Sequence, residues 1–303
     1  MLLSVPPCQA YSVIGRSRKK DRMESDSRNY LYKHYILLIN EFRPDFFIFE
    51  NVPGLKTAKK GDIFSDFHGE TRKMGYTVEA RILNAADFGV LQNRKRIIFI
   101  GHNGENDIPF PDFKPIQHNF VIRDLLNDLP PLSHGEGMDG PGQKFTANSN
   151  NYLRQFKIRS PEDVVTHHNA RPHNERDLEI YRRAIQLWQN EKKRLRYNDL
   201  PTHLKTHKNQ KSFLDRFKVV NGEGLSHAVV AHIAKDGHYY IHPDIRQVRS
   251  LTVREAARIQ SFPDNYKFEG PRISQFTQVG NAVPPLMAES IAREIEFLLK
   301  KFY

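Results

Sequence analysis

Cysteine is nearly absent. Cys8 is the only one in 303 residues, so no internal disulfide can form and a reducing, cytoplasmic setting is expected. Long apolar runs are missing too. No stretch approaches the ~20 residues of a membrane span, and the N-terminus lacks the charged-then-apolar pattern of a signal peptide. Fourteen histidines occur, some in "THHNARPH" and "THLKTH", but without cysteines or carboxylate pairs placed as ligands they predict no metal site. Acidic residues are the minority, 35 against 46 Lys and Arg, for a net charge of +11. That excess favours a polyanionic partner without identifying it. No internal repeat is present.

What remains reads as two domains, a length this chain can fill. In "SRNYLYKHYILLINEF" a helix is expected, with Leu31, Tyr35, Leu38 and Phe42 on its inner face and Ser27 as N-cap. "DFFIFEN" predicts a strand buried on both faces, "DIFSDFHGETRKMGY" a helix, and "TVEARIL" and "RIIFIG" further strands. Alternating strands and helices predict an α/β fold with a doubly wound sheet. Proline-rich "DIPFPDFKP" marks an exit, and "HGEGMDGPGQKFTANSN" is too rich in glycine and polar residues for a regular element. Beyond it come a basic amphipathic helix with Leu178, Tyr181, Ile185 and Trp188 inward, and a hairpin at "AVVAHIAKDGHYYIHP" turning at Asp236 and Gly237. Helices at "LTVREAARIQSF" and "PPLMAESIAREIEFLLKKF" close the chain, the latter started by Pro284 and Pro285.

Three stretches carry chemistry. In "LLSVPPCQAYS", Pro6 and Pro7 stiffen the backbone before Cys8, after an apolar stub that suits a strand end. The thiol is either a directed nucleophile or an inert buried cysteine. In "FFIFENVPG", Glu50 is a catalytic acid at the sheet's edge or a solvated charge where a strand exits. In "LQNRKRIIFIG", Arg94 and Arg96 share one face if the segment is extended, with Lys95 opposite. They are then paired donors aimed into a pocket, or a charged strand entrance.

Taken in order, "PPCQAYS", "ENVPG", "QNRKR", "RSLTVREAARIQSFPDNY" and "QVGNAVPP" resemble successive blocks of the DNA (cytosine-5)-methyltransferases, from residue 4 to about residue 295. The resemblance implies a partial doubly wound, Rossmann-like methyltransferase sheet plus a smaller basic DNA-recognition domain. Residues 1–108 would form the partial catalytic domain and 109–278 the target-recognition domain, with 279–303 returning to the first. It implies methyl transfer from S-adenosylmethionine to C5 of a flipped-out cytosine in double-stranded DNA, in a prokaryotic restriction–modification system.

By the same resemblance, Cys8 is the nucleophile, Glu50 binds the N3 edge of the base, Asn51 either orients that carboxyl or helps hold the loop, and Arg96 contacts the cytosine carbonyl with Arg94 in support. Pro7, Asn281 and Ala282 remain for the cofactor. Arg16, Arg18, Lys19 and Lys20 follow the nucleophile in a basic loop suited to closing over DNA phosphates, the alternative being a solvated loop. Trp188 and its stripe read as core, not as a base-stacking platform.

The sequence departs from the family in two respects. The glycine-rich Phe-x-Gly-x-Gly loop and the acidic residues that bind the cofactor's ribose and adenine lie upstream of the Pro-Cys block, and Ser4 and Val5 stand where glycines are usual. Most of the cofactor site is therefore expected to be absent, leaving a sheet edge and a face of the final helix uncovered. A truncated reading frame, a separate N-terminal subunit and an inactive remnant each fit. The alternative of another class is a DNA-binding module without catalysis.

Overall fold

The computed structural model describes residues 1–4, 30–104, 108–138, 143–206 and 210–302. Its elements begin β1 (Leu2–Ser4), α1 (Leu31–Phe42), β2 (Phe46–Asn51), α2 (Asp62–Lys73), β3 (Tyr76–Asn84), β4 (Gln92–Asn93) and β5 (Lys95–Asn103). There follow α3 (Ile122–Leu126), β6 (Gly137–Met138), α4 (Asn151–Gln155), β7 (His168–Asn169), α5 (Glu175–Glu191) and β8 (Ser226–His227). The chain ends with α6 (Val253–Ile259), α7 (Arg272–Asn281) and α8 (Pro285–Phe302). It divides into two units, one of residues 1–87, 95–114 and 291–303, the other of 88–94 and 115–290. The second, expected to be the smaller, is the larger. None of the helices is long and apolar enough to cross a membrane, among the described residues.

The first unit is α/β. Its four-stranded sheet has the order β1-β2-β5-β3 and is mixed: β1 is parallel to β2, whereas β5 is antiparallel to both β2 and β3. Every residue of β2 is buried, as its unbroken apolar run requires. Phe47 and Phe49 point into a cluster with Tyr32, Tyr35 and Ile39 of α1 and Phe67 of α2. On the opposite face, Leu298 near the end of α8 lines a small cavity with Phe46 and Ile100.

The helix at α1 forms as expected, but a different stripe faces inward. Tyr32, Tyr35, Ile36 and Ile39 are buried, while Leu38 and Phe42 are exposed. Eight apolar or aromatic positions in twelve residues offer two stripes one position apart. Polar anchoring separates them: Tyr35 Oη donates to Ile48 O (3.0 Å) and Leu2 O (3.1 Å), and Tyr32 Oη to Asp66. Tyr30, with no side-chain cap bond, holds the N-cap position, and Ser27 lies outside the described residues.

In the second unit α5 buries Leu178, Tyr181 and Ile185, with Trp188 packed at the margin of the same cluster, which is the core reading. The hairpin expected around Asp236 and Gly237 does not form. Residues 231–234 make a 3₁₀ turn instead. Side chains take the backbone donors that a partner strand would have used: Val229 N donates to Gln92 Oε1 (3.0 Å) and Val230 N to Tyr240 Oη (3.0 Å). The Gly237 turn is real, with φ +75° and Tyr240 N donating to Gly237 O (2.8 Å). Helix α7 was not expected at all.

Candidate active site

Strand β2 carries Glu50 to its carboxyl end, where it pairs with Ile98 of β5. Side chains of a strand repeat every second residue, so Arg96 shares the face of Ile98 and reaches back to Glu50. Arg96 Nε lies 2.7 Å from Glu50 Oε1, and its Nη1 donates to Lys95 O (2.8 Å). Both residues are buried, Glu50 6 % and Arg96 8 % exposed, so the pair is shielded from solvent screening. Asn51 is fully buried beside it, and its Oδ1 accepts from Val52 N (2.9 Å), fixing the turn out of the strand. The sheet edge therefore holds a fixed carboxylate and a fixed guanidinium; neither is a solvated strand exit.

Arg94 does something else. It falls between β4, which pairs with β8 in the second unit, and β5, which belongs to the first unit's sheet. The segment is not one continuous strand, so the shared face expected for Arg94 and Arg96 does not arise. Arg94 is 1 % exposed, and both of its Nη groups donate to main-chain carbonyls: Nη1 to Val229 O (2.5 Å), Nη2 to Gly280 O (3.1 Å) and Ala282 O (2.9 Å). Gly280 and Ala282 stand at the end of α7, where the last carbonyls of a helix need donors.

Two glutamines complete the clamp. Gln260 Nε2 donates to Val279 O (2.7 Å), while Gln92 Nε2 donates to Gln260 Oε1 (3.0 Å) and Ile259 O (3.1 Å). Gly280 must be glycine, since a Cβ there would lie 2.2 Å from Ala231 N. Asn281 is exposed on this braced turn and Ala282 is half-buried. Residues from "QNRKR", "ARIQSF" and "QVGNAVPP" are thus one hydrogen-bonded unit. Gln92 and Gln260 were missed in the sequence, although both lie inside those blocks.

The "RSLTVREAARIQSFPDNY" stretch is structural throughout. Every residue of α6 is buried, including Arg254, Glu255 and Arg258. Glu255 closes a capping box with Thr252 and takes Arg249 bidentately (2.7 and 2.8 Å). Burial opposes its ionisation, but Arg249 prevails and holds the carboxyl well below its usual range. Arg258 places all its N–H donors: Nε on Asp264 Oδ1 (2.9 Å), Nη1 on Asp128 Oδ1 (2.5 Å) and Leu125 O (2.6 Å), Nη2 on Asp264 Oδ2 (2.5 Å) and Asp128 Oδ2 (3.1 Å). Arg254 lies on Thr166, Pro263 and Tyr266 carbonyls, and its burial lowers it to about 10. His168 is buried between Thr252 Oγ1 (3.0 Å) and Pro130 O (2.8 Å). The carbonyl requires Nε2–H, leaving Nδ1 to accept.

Cys8, Pro7, Arg16, Arg18, Lys19 and Lys20 lie outside the described residues. No cluster of three or more potential metal ligands occurs among the described residues.

Residues 1–296 match the family described as C-5 cytosine-specific DNA methylase. The chain is similar to type II methyltransferase M.Bpa9945I of Bacillus paralicheniformis, with 48 % identity over 98 % of this chain and 70 % of that protein. It is also similar to type II methyltransferase M1.HphI of Haemophilus parahaemolyticus, with 32 % identity over 97 % of this chain and 68 % of the relative. Among solved structures it resembles one described as a prophage-encoded DNA modification methyltransferase (E. coli), at TM-score 0.68 and 24 % identity, covering 98 % of this chain and 78 % of that one, a likeness of fold. The chain belongs to the C-5 cytosine-specific DNA methylase family and is by family a DNA (cytosine-5)-methyltransferase.

Proposed function

We propose that this chain methylates C5 of a flipped-out cytosine in double-stranded DNA through a covalent adduct on Cys8, as a type II modification enzyme like the relatives it matches. The buried Glu50–Arg96 pair, at the carboxyl end of β2 and the start of β5, carries the reading. Parallel strands β1 and β2 end together, with Ser4 paired to Phe49, one residue before Glu50. Open α/β sheets place their sites at such ends. Cys8 follows Ser4 by four residue steps, which span at most about 14 Å.

S-adenosylmethionine, which the family uses in general, supplies an electrophilic methyl group; Asn281, exposed on its braced turn, is the described side chain suited to meet it. Cytosine C5 is a weak nucleophile in the intact ring. The Cys8 thiolate adds to C6, forming the S–C6 bond and moving the ring's π electrons toward C5 and N3. Glu50, fixed by Arg96, faces the 4-amino and N3 edge and shares a proton with N3 as charge builds there. Arg96 holds Glu50 through Nε and Lys95 O through Nη1, and in this reading its Nη2 donates to the pyrimidine carbonyl. After methylation, loss of the C5 proton expels the thiolate and restores the aromatic ring. Such chemistry needs the base out of the stack.

The test uses duplex DNA carrying 5-fluorocytosine, whose C5 fluorine cannot leave as the proton does. Incubation with S-adenosylmethionine is expected to leave a protein–DNA adduct stable to denaturation, absent with Cys8→Ser. An adduct that persists in Cys8→Ser, or methyl transfer at the wild-type rate by that variant, would refute the assignment.

A further inference from the structure

Helix α6 closes through a left-handed serine. Phe262 N donates to Ala257 O (2.9 Å) and Ser261 N to Arg258 O (2.9 Å), the paired bonds that end a helix around one residue of positive φ. Ser261 is that residue, with φ +63°. Glycine usually fills this position, because a Cβ in the left-handed region crowds the neighbouring carbonyl. Ser261 is also only 2 % exposed, so its hydroxyl is not there for solvent.

The hydroxyl is engaged by a different helix: Leu286 N donates to Ser261 Oγ (3.2 Å). Helix α8 begins at Pro285, and neither Pro285 nor Pro284 carries an N–H or a side chain able to cap a helix. Leu286 therefore bears the first donor of α8, for which the helix itself has no acceptor. Gln260, the residue before Ser261, donates to Val279 O (2.7 Å) and Ala282 O (3.3 Å). Two successive side chains at the end of α6 thus hold the two ends of the segment 279–286, in which Asn281 is exposed.

We propose that Ser261 is a positioning residue for the cofactor: its hydroxyl, kept on a left-handed backbone that glycine would adopt without strain, fixes the Asn281 turn from its far end. This rests on Asn281 meeting S-adenosylmethionine. Arg94 and Gln260 brace the carbonyls where α7 ends. Without Ser261 the run through Pro284 and Pro285 is tethered on that side alone, since the prolines restrict φ but supply no donor.

The test compares the full chain as wild type, Ser261→Gly, Ser261→Ala and Asn281→Ala. It reads melting temperature, hydrogen exchange of a peptide containing residues 279–288, and equilibrium dialysis of S-adenosylmethionine. Glycine relieves the left-handed backbone and alanine does not, so Ser261→Gly should melt above Ser261→Ala. Both lose the acceptor, so in both the 279–288 amides should exchange about threefold to tenfold faster and the cofactor should bind weaker by a similar factor, the worth of one ordinary hydrogen bond. If serine served only to end α6, Ser261→Gly would keep wild-type exchange and affinity, and that result overturns the proposal. Weakened binding in Asn281→Ala with wild-type affinity in Ser261→Gly refutes the role of Ser261 alone. Unchanged affinity in Asn281→Ala refutes Asn281 as the contact. No uptake by the wild-type chain refutes the cofactor reading, and the exchange rates then judge the brace by themselves.

Discussion

Arg96 and Arg258 are both buried arginines facing carboxylates, and they teach opposite lessons. Arg258 in the second unit has every donor occupied, by Asp128, Asp264 and a carbonyl. Arg96 in the first unit holds Glu50 through one nitrogen and a carbonyl through another. Arg258 spends its donors on holding the fold together, whereas the proposed mechanism gives Arg96 a partner that the chain itself does not contain. Arg94, two residues from Arg96, falls on the structural side, its Nη1 and Nη2 on main-chain carbonyls.

The largest stability effect is expected where saturation is complete. Arg258→Met leaves Asp128 and Asp264 buried without their shared cation, and removing one partner of a buried pair costs about 3–5 kcal/mol. Chemical denaturation of the variant should show this loss, and a change under 1 kcal/mol would break the distinction drawn here.

A smaller effect comes from the buried histidines. Burial lowers His242 to about 4 and His227 to about 3, from 6.5. Native His is therefore neutral, and below pH 6.5 the unfolded chain binds the extra protons. Stability is complete above about pH 6.5 and falls as pH drops toward 4. At pH 5 each of these two imidazoles removes about 2 kcal/mol. Carboxylates such as Glu255 lose their contribution only below their unfolded values, under pH 4.5, so they do not mask this window. Denaturation midpoints at pH 7 and pH 5 should differ accordingly, and His242→Gln should narrow the gap.

Much of the first unit was legible because its strands and helices follow apolar periodicity: β2, α2, β3 and β5 lie where the pattern places them. The inner face of α1 was not, since Leu38 and Phe42 match the pattern as well as Ile36 and Ile39, and tyrosine hydroxyls decide. Helix α6 defies amphipathic reasoning, because its arginines and glutamate are buried against partners as distant as Asp128. Pairings over such separations leave no local periodicity. Glu50 and Arg96 were legible as candidates through their sequence blocks, but only the β2–β5 register shows that they meet. The face of Arg94 was not legible, because the two arginines share one only if the segment is extended, and here two strands enter different sheets.

Arg94 and Arg96 give the most direct test. Each is changed to Lys, and unfolding stability, kcat and the KM for S-adenosylmethionine are measured side by side. Lys cannot bridge three carbonyls, so Arg94→Lys should lose about 1–3 kcal/mol of stability and raise KM by loosening the Asn281 turn, with kcat little changed. Arg96→Lys should lower kcat about 100-fold or more at nearly native stability and KM. A fall in kcat for Arg94→Lys at full stability, or an unaffected kcat for Arg96→Lys, would contradict the division of the two arginines between fold and chemistry.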